Sequence, residues 1–399
     1  MASSLSFRIV PSLAAAAPGA RVPLWRAEPY RVLFPLGLVL ALCGVSPWLA
    51  FAFGWTEQWL PVFHAMAQAQ CFLACMASGF LFTMIPRRTA TGPASPLEIA
   101  VAGLAPLGTA GFAFAERWAV SQLCWAASMA VLLQFALRRF RARRTFGGVP
   151  SSFVWVIVAF ALALASPLLA GIGAAGGEER WWLHDVGRNL ALQGVLACLV
   201  VGVGAVIVPH VTRGEAPAEP QRRYRLLHLL AALIFAGSFF LEQLWSVPLA
   251  HALRALVLGA AFIPAARLWR RPIFAGAHRW LAWLAAWALP VGYALVAIFP
   301  GYRKALLHVV FLGSFGALTL AIAAHVVMTH AGRAEQLEER SPAVTAMAAC
   351  LGLALAARVA FDVDQAHLRI WLGIAACSFI GAVAIWVAIA GRSLRVTNR

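Results

Sequence analysis

Three histidines open three apolar stretches of this chain at near-equal intervals: His64, His184 and His308, separated by 120 and then 124 residues. Imidazole changes charge near neutral pH and offers a nitrogen lone pair to iron, copper or zinc. With an unperturbed pKa near 6.5 it is also cheaper to carry into an apolar setting than lysine or aspartate. A lone histidine in such a place is explained by a hydrogen bond to a neighbouring helix. Three at matching places point further, because facing helices of a bundle are where side chains converge on haem or a metal.

Each histidine has polar company. In residues 60–88, LPVFHAMAQAQCFLACMASGFLFTMIPRR, the side chains of His64, Gln68, Cys71, Cys75 and Ser78 form one stripe of a helix. That stripe suits a cofactor wall or, equally, close packing of small residues against another helix. After His184 come Asp185, Arg188 and Asn189, with Gln193 one turn on. Asp185 and Arg188 neutralise each other at that spacing, and either can hold a haem propionate or a polar substrate. His251 and Arg254 repeat the pattern. A second group, His210, His228, His278, His325 and His330, falls toward basic loops. For His210, His228 and His278 an interfacial, solvated position is explanation enough.

The elements that must place these residues are membrane helices. Hydrophobic residues make up 62% of the chain and charged ones 12%, against about 25% charged in a soluble protein. The excess runs the whole length. The net charge of +17 comes from short basic clusters between apolar runs, which is what membrane insertion requires and not a nucleic-acid footprint. All seven cysteines lie inside apolar runs, where they act as small hydrophobes and not as disulfide partners. No cleavable signal peptide is evident in the first 30 residues.

A crossing needs about 20 mostly apolar residues. By that rule spans fall near 31–54, 59–85, 97–115, 118–137, 151–175, 182–209, 224–244, 247–268, 273–299, 303–330, 342–361 and 367–391. The reading is an all-α integral membrane protein with 12 transmembrane helices. Alternate loops are arginine-rich: Arg8, Arg21, Arg26 and Arg31 precede the first span, Arg87 and Arg88 follow the second, and Arg138 to Arg144 follow the fourth. Arg213 to Arg225, Arg267 to Arg271, Arg333 and Arg340, and finally Arg392, Arg395 and Arg399 continue the series. Lys and Arg stay inside, so both termini are expected in the cytoplasm.

With that topology the second, sixth and tenth spans run the same way. Their inner ends carry Pro86-Arg87-Arg88-Thr89, Pro209-His210-Val211-Thr212-Arg213 and Thr329-His330-Ala331-Gly332-Arg333. Both sets of spacings predict three four-helix repeats, near 31–144, 145–271 and 272–399, after a cytoplasmic tail over 1–30. From His64 to Pro86 is 22 residues, about 33 Å of helix, and His308 stands equally far before His330. The histidines are thus expected at one depth near the outer boundary.

The tenth span, LLHVVFLGSFGALTLAIAAHVVMTHAGR, resembles the signature of the NnrS family, polytopic bacterial membrane proteins tied to the nitric oxide response. His308, Gly313, Gly316, His330, Gly332 and Arg333 carry the likeness. Pro209, Thr212 and Arg213 are similar to a family Val-Ile-Pro-x-Phe-Thr-Arg segment, and His64, Gly79, Pro86 and Thr89 to a His-Ala-His-Glu-Met helix ending in Pro-x-x-Thr-Gly. Here that motif reads His64-Ala65-Met66-Ala67-Gln68, without the second His and the Glu; His325 stands where the family has an arginine. The resemblance spans roughly residues 30–391.

The resemblance implies haem, copper and relief of nitrosative stress in a bacterial inner membrane, with a nitrogen oxide as small-molecule partner. It points to His64 and His308 as axial haem ligands, His184 as alternative partner and Arg188 beside the cofactor. Met66, a soft thioether, and His330 complete the candidate metal ligands, including for copper. The competing reading is a secondary transporter of a small polar or anionic solute, against which the second, sixth and tenth spans show no clear mid-helix break. A haem–copper oxidase core would need an adjacent His-His pair, and none occurs.

Overall fold

The computed structural model describes residues 22–144, 148–216, 221–339 and 341–395. Arg8, Arg21, Arg340 and Arg399, counted above, lie outside the described residues, as do residues 1–21 of the expected tail and the chain just after the expected boundary at 144. The described residues are helical, with no strand among them.

Twelve helices are long and apolar enough to cross a membrane. They are α1 (Tyr30–Ala52), α2 (Pro61–Thr89), α3 (Pro96–Phe114), α4 (Trp118–Arg141), α5 (Ser151–Ala175), α6 (Glu178–Arg213), α7 (Arg222–Leu244), α8 (Val247–Ala266), α9 (Ala277–Ile298), α10 (Pro300–His330), α11 (Pro342–Val363) and α12 (Gln365–Leu394). Helix satisfies every backbone group within its own segment, which lipid demands.

Nine of these helices form a closed ring: α1, α3, α4, α5, α7, α8, α9, α11 and α12 pack in that order, and α12 returns to α1. The other three, α2, α6 and α10, pack on one another inside it. Burial follows. In their most apolar windows 83%, 72% and 56% of residues of α2, α6 and α10 are buried, and no other helix exceeds 50%. The central helices also leave alike at the Arg87 end, through left-handed residues Ala90, Gly214 and Gly332.

The same three helices are not uniform. Each contains a π-helical segment: Ala67–Phe72 in α2, Leu190–Gly194 in α6 and Val309–Gly316 in α10. Among the described residues π-helix occurs nowhere else. Such a turn carries an extra residue, re-aims the side chains that follow it, and concentrates at functional sites. The helices stay continuous, as expected, but their register shifts beyond each histidine. At the ends of the π segments lies a cavity of about 120 Å³ between α2, α6 and α10.

Close approach positions the histidine end of α6. A Cβ added at Gly173 of α5 would stand 2.2 Å from the backbone nitrogen of His184, and one at Gly187 would stand 2.5 Å from the Ser166 carbonyl oxygen. Only glycine allows α5 and α6 to touch backbone to backbone there.

Candidate functional site

His64 sits in the first turns of α2, where its Nδ1–H donates to the Gly44 carbonyl of α1 at 2.8 Å. A carbonyl only accepts, so this bond fixes the tautomer and leaves the lone pair on Nε2. His308, on the first turns of α10, repeats the arrangement: its Nδ1–H donates to the Lys304 carbonyl at 2.8 Å. The two imidazoles are electrostatic neighbours, and both lie in the field of Arg358 on α11. Both rings are half-buried in the first turns of their helices, each with Nε2 left for another partner.

Aromatic side chains flank them. Trp48 meets the His64 ring at 5.4 Å, Trp59 packs on Trp48 at 4.5 Å, and Phe361 stacks on Trp59 at 6.3 Å. Phe311 stands edge-on to His308 at 6.1 Å. Arg358 lies over the Phe361 ring at 4.6 Å and pairs with Asp362 at 2.9 Å. Its guanidinium, already paired with Asp362, is a fixed positive charge in this region, suited to a carboxylate or another anionic edge. Sequence reading missed it, although an arginine inside the apolar run of α11 was itself a signal.

His184 also frees its Nε2, since Nδ1–H donates to the Ala170 carbonyl at 3.1 Å. Its ring, however, stacks on Trp181 at 4.4 Å and faces α5. Chain counting explains the separation. The first cavity-wall residues of the central helices are Leu73, Leu196 and Phe315. His64 lies 9 residues before Leu73, His308 lies 7 before Phe315, and His184 lies 12 before Leu196. By this count His184 stands 3 to 5 residues further from the cavity than the other two. Arg188 and Asp185 form the expected pair at 2.9 Å, close to His184 and not to the other two.

Met66 and His330 are placed apart from this pair. Met66 is buried in a cluster with Leu40, Phe63, Cys71, Cys75, Ala110 and Ala113. The stripe on α2 thus packs against α1 and α3: Cys71 and Cys75 are fully buried there, and the Gln68 amide donates to the Ala41 carbonyl at 2.7 Å. Packing, and not a cofactor wall, accounts for it. His330 lies at the far end of α10, where Arg87 donates to its Nε2 at 2.5 Å. That nitrogen is engaged. Arg87 also pairs with Glu28 at 2.5 Å, and Glu28 accepts from Arg31 at 2.6 Å and from the Tyr30 hydroxyl at 2.9 Å.

One further histidine departs from expectation. His278 is 1% exposed and not solvated; its Nε2 lies 3.3 Å from Nδ1 of His325 and the rings stack at 5.4 Å. His228 accepts from the Trp155 indole at 3.1 Å. The start of α9 docks onto α10 at His278, which hydropathy could not reveal.

A second feature escaped sequence reading. Glu242 of α7 pairs with Arg254 of α8 at 2.6 Å and with Arg303, at the start of α10, at 2.8 Å. Arg254 also donates to Ser238 Oγ at 2.9 Å, and His251 Nε2 lies 3.3 Å from it. Arg303 begins the turn that carries Lys304 and His308, so this buried cluster anchors the His308 end of α10.

The donor set can be tested against the expected groups. Haem brings four nitrogens and needs only axial ligands, and two imidazoles with ordered Nδ1 and free Nε2 suit it. A copper ion held by the protein alone needs more. No group of three or more His, Cys, Asp or Glu side chains comes together among the described residues, and Met66 is turned into the α1–α3 core. The residues present do not fit that site.

Fold and site together define a polytopic helical membrane protein with paired imidazoles at one end of its central helices. A family model described as NnrS protein matches residues 23–396, nearly the whole chain, and the protein belongs to the NnrS family. It is therefore a multi-pass membrane protein of a family tied to the nitric oxide response. No curated protein matches the chain.

Proposed function

We propose that this protein is a haem-binding membrane protein of the nitric oxide response in a bacterial inner membrane, whose haem His64 and His308 would hold. The observation that carries the reading is the shared tautomer: both rings give Nδ1–H to a backbone carbonyl and keep Nε2 for a ligand. Bound there, haem would supply an iron centre for electron transfer, and release of one imidazole would open it to nitric oxide. The chain orients the two rings, fixes their protonation and sheds water through Trp48, Trp59 and Phe361. Arg358 offers its charge to an anionic edge of the bound group, a propionate for haem. His184 and Arg188 are the reserve: a ring and a cation for a second contact.

In this reading both termini are cytoplasmic and the His64–His308 end faces outward. The chain is three four-helix units, supported by the repeating order of the nine-helix ring and by the π segments of α2, α6 and α10. A transporter of a polar or anionic solute is the less favoured reading, because apolar side chains dominate the central cavity and offer such a solute no partner.

The absorption spectrum of detergent-purified protein tests the proposal. A Soret band that is lost or shifted in His64→Ala and His308→Ala supports it. A colourless protein after haem reconstitution sinks it and leaves the transporter.

A further inference from the structure

The central cavity has a composition that selects its occupant. Its wall is drawn from α2, α6 and α10 at matching places: Leu73, Leu196 and Phe315 form one level, and Phe80, Val203 and Ile322 another. Both levels step by 123 and then 119 residues along the chain. Three helices thus present the same face to one point, at the ends of their π segments. The wall from α1 is Phe34, and the one hydroxyl in the lining is that of Thr319.

We propose that this cavity is a binding site for a small, uncharged, apolar molecule of the size of a diatomic gas. Size sets the upper bound: about 120 Å³ equals the liquid volume of roughly four waters at about 30 Å³ each. A whole acyl chain or a haem is too large. Polarity sets the rest. A buried water makes about three hydrogen bonds, and a single threonine hydroxyl cannot supply them. An ion would leave its charge unpaired among Leu, Val, Ile and Phe side chains. A neutral gas loses little on entry and gains dispersion contacts with the apolar wall.

Position adds a consequence that rests on the haem reading. Phe315 lies 7 residues beyond His308, roughly 10 Å at 1.5 Å per residue. A gas held there waits within two turns of the imidazole pair, so under that reading the occupant is nitric oxide. The site itself does not require haem.

Xenon is the probe, since it matches such a gas in size and polarity and binds dry apolar cavities. Purified full-length protein is equilibrated under xenon and followed by xenon-129 NMR, with a xenon-pressurised structure to place the atom. One site between α2, α6 and α10 is expected. Ala77→Phe and Thr319→Phe fill the space and should weaken xenon binding at least tenfold. Thr319→Val, which keeps the volume and removes the hydroxyl, should bind xenon as well as the parent or better. No xenon in the parent cavity, an ordered water cluster or lipid tail there, or undiminished binding in both Phe variants would overturn the inference. Xenon binding in a colourless protein upholds the gas site and fells the haem reading; a Soret band without a xenon site does the reverse.

Discussion

Arg254 and Glu242 meet at 2.6 Å with neither side chain reaching solvent. Arg303 closes on the same carboxylate at 2.8 Å. Such a buried cluster is costly to assemble and more costly to break, because the survivor is left uncompensated in a medium of low polarity. Glu242→Ala strands two arginines and is expected to destabilise the protein by about 3–5 kcal/mol. Arg303→Gln leaves the Arg254–Glu242 pair intact and is expected to cost far less. Thermal unfolding in detergent compares them; equal melting temperatures for the two variants would remove the cluster from the list of structural anchors.

His64→Ala and His308→Ala each remove one free Nε2. Each is expected to lower haem retention about tenfold or more, read as the Soret-to-protein absorbance ratio. His330→Ala, whose Nε2 is engaged by Arg87, should leave the band in place. Loss of the band in His330→Ala with retention in both others would transfer the site to the far end of α10.

Arg358→Gln removes the fixed charge that both imidazoles feel. A nearby cation favours the reduced, less positive state of a metal centre. The variant is therefore expected to have a lower haem midpoint potential than the parent, with Arg358→Lys in between. An unchanged potential in a spectroscopically normal variant would show that Arg358 serves only Asp362 and Phe361.

Acid should loosen the Arg87 end of the protein. Burial alone would raise the pKa of Glu28, but His330 and the guanidinium groups of Arg31 and Arg87 outweigh it and hold the carboxyl below its ordinary value. Glu215 is lowered in the same way: burial opposes, and the hydrogen bond and charge of Arg213 with those of Arg270 and Arg267 prevail. A folded-state pKa below the unfolded one gives stability that is present above about 4.3, the ordinary glutamate value, and lost as pH falls through the folded value. Melting temperature should thus fall below about pH 4.3, and the double variant Glu28→Gln, Glu215→Gln should show a flatter acid limb. An identical acid limb in parent and variant would dismiss both carboxylates as its cause.

Topology is open to a direct measurement. Reporter fusions after Arg144 and after Arg180 should report cytoplasmic and external sides respectively, as the arginine distribution requires. Both on one side would contradict the expected orientation.

What the sequence alone determined was the set of elements. Apolar runs of about 20 residues allow only helix in lipid, and α1 to α12 begin and end within a few residues of the expected spans. It also marked His64 and His308, because a titratable group inside an apolar run is rare enough to be seen without neighbours. Family likeness was legible in α10 for the same reason: His308, His330, Gly332 and Arg333 are local in sequence.

Tertiary structure alone decided which polar groups meet. Gln68, Cys71 and Cys75 read as one stripe, but only packing showed that the stripe faces α1 and α3. Hydropathy is blind to direction around a buried helix, so nothing in it distinguishes ring from centre. His184 matched its counterparts by count; the π segments then shifted the register, and the glycine contact with α5 fixed it a turn further out. Arg358 and Glu242 lie 50 and 61 residues or more from His308 and Arg303, the groups they act on, and charge attracts through space and not along the chain. The cavity is the clearest case. Its wall is three ordinary apolar helices, and only their convergence leaves a volume that none of them encodes alone.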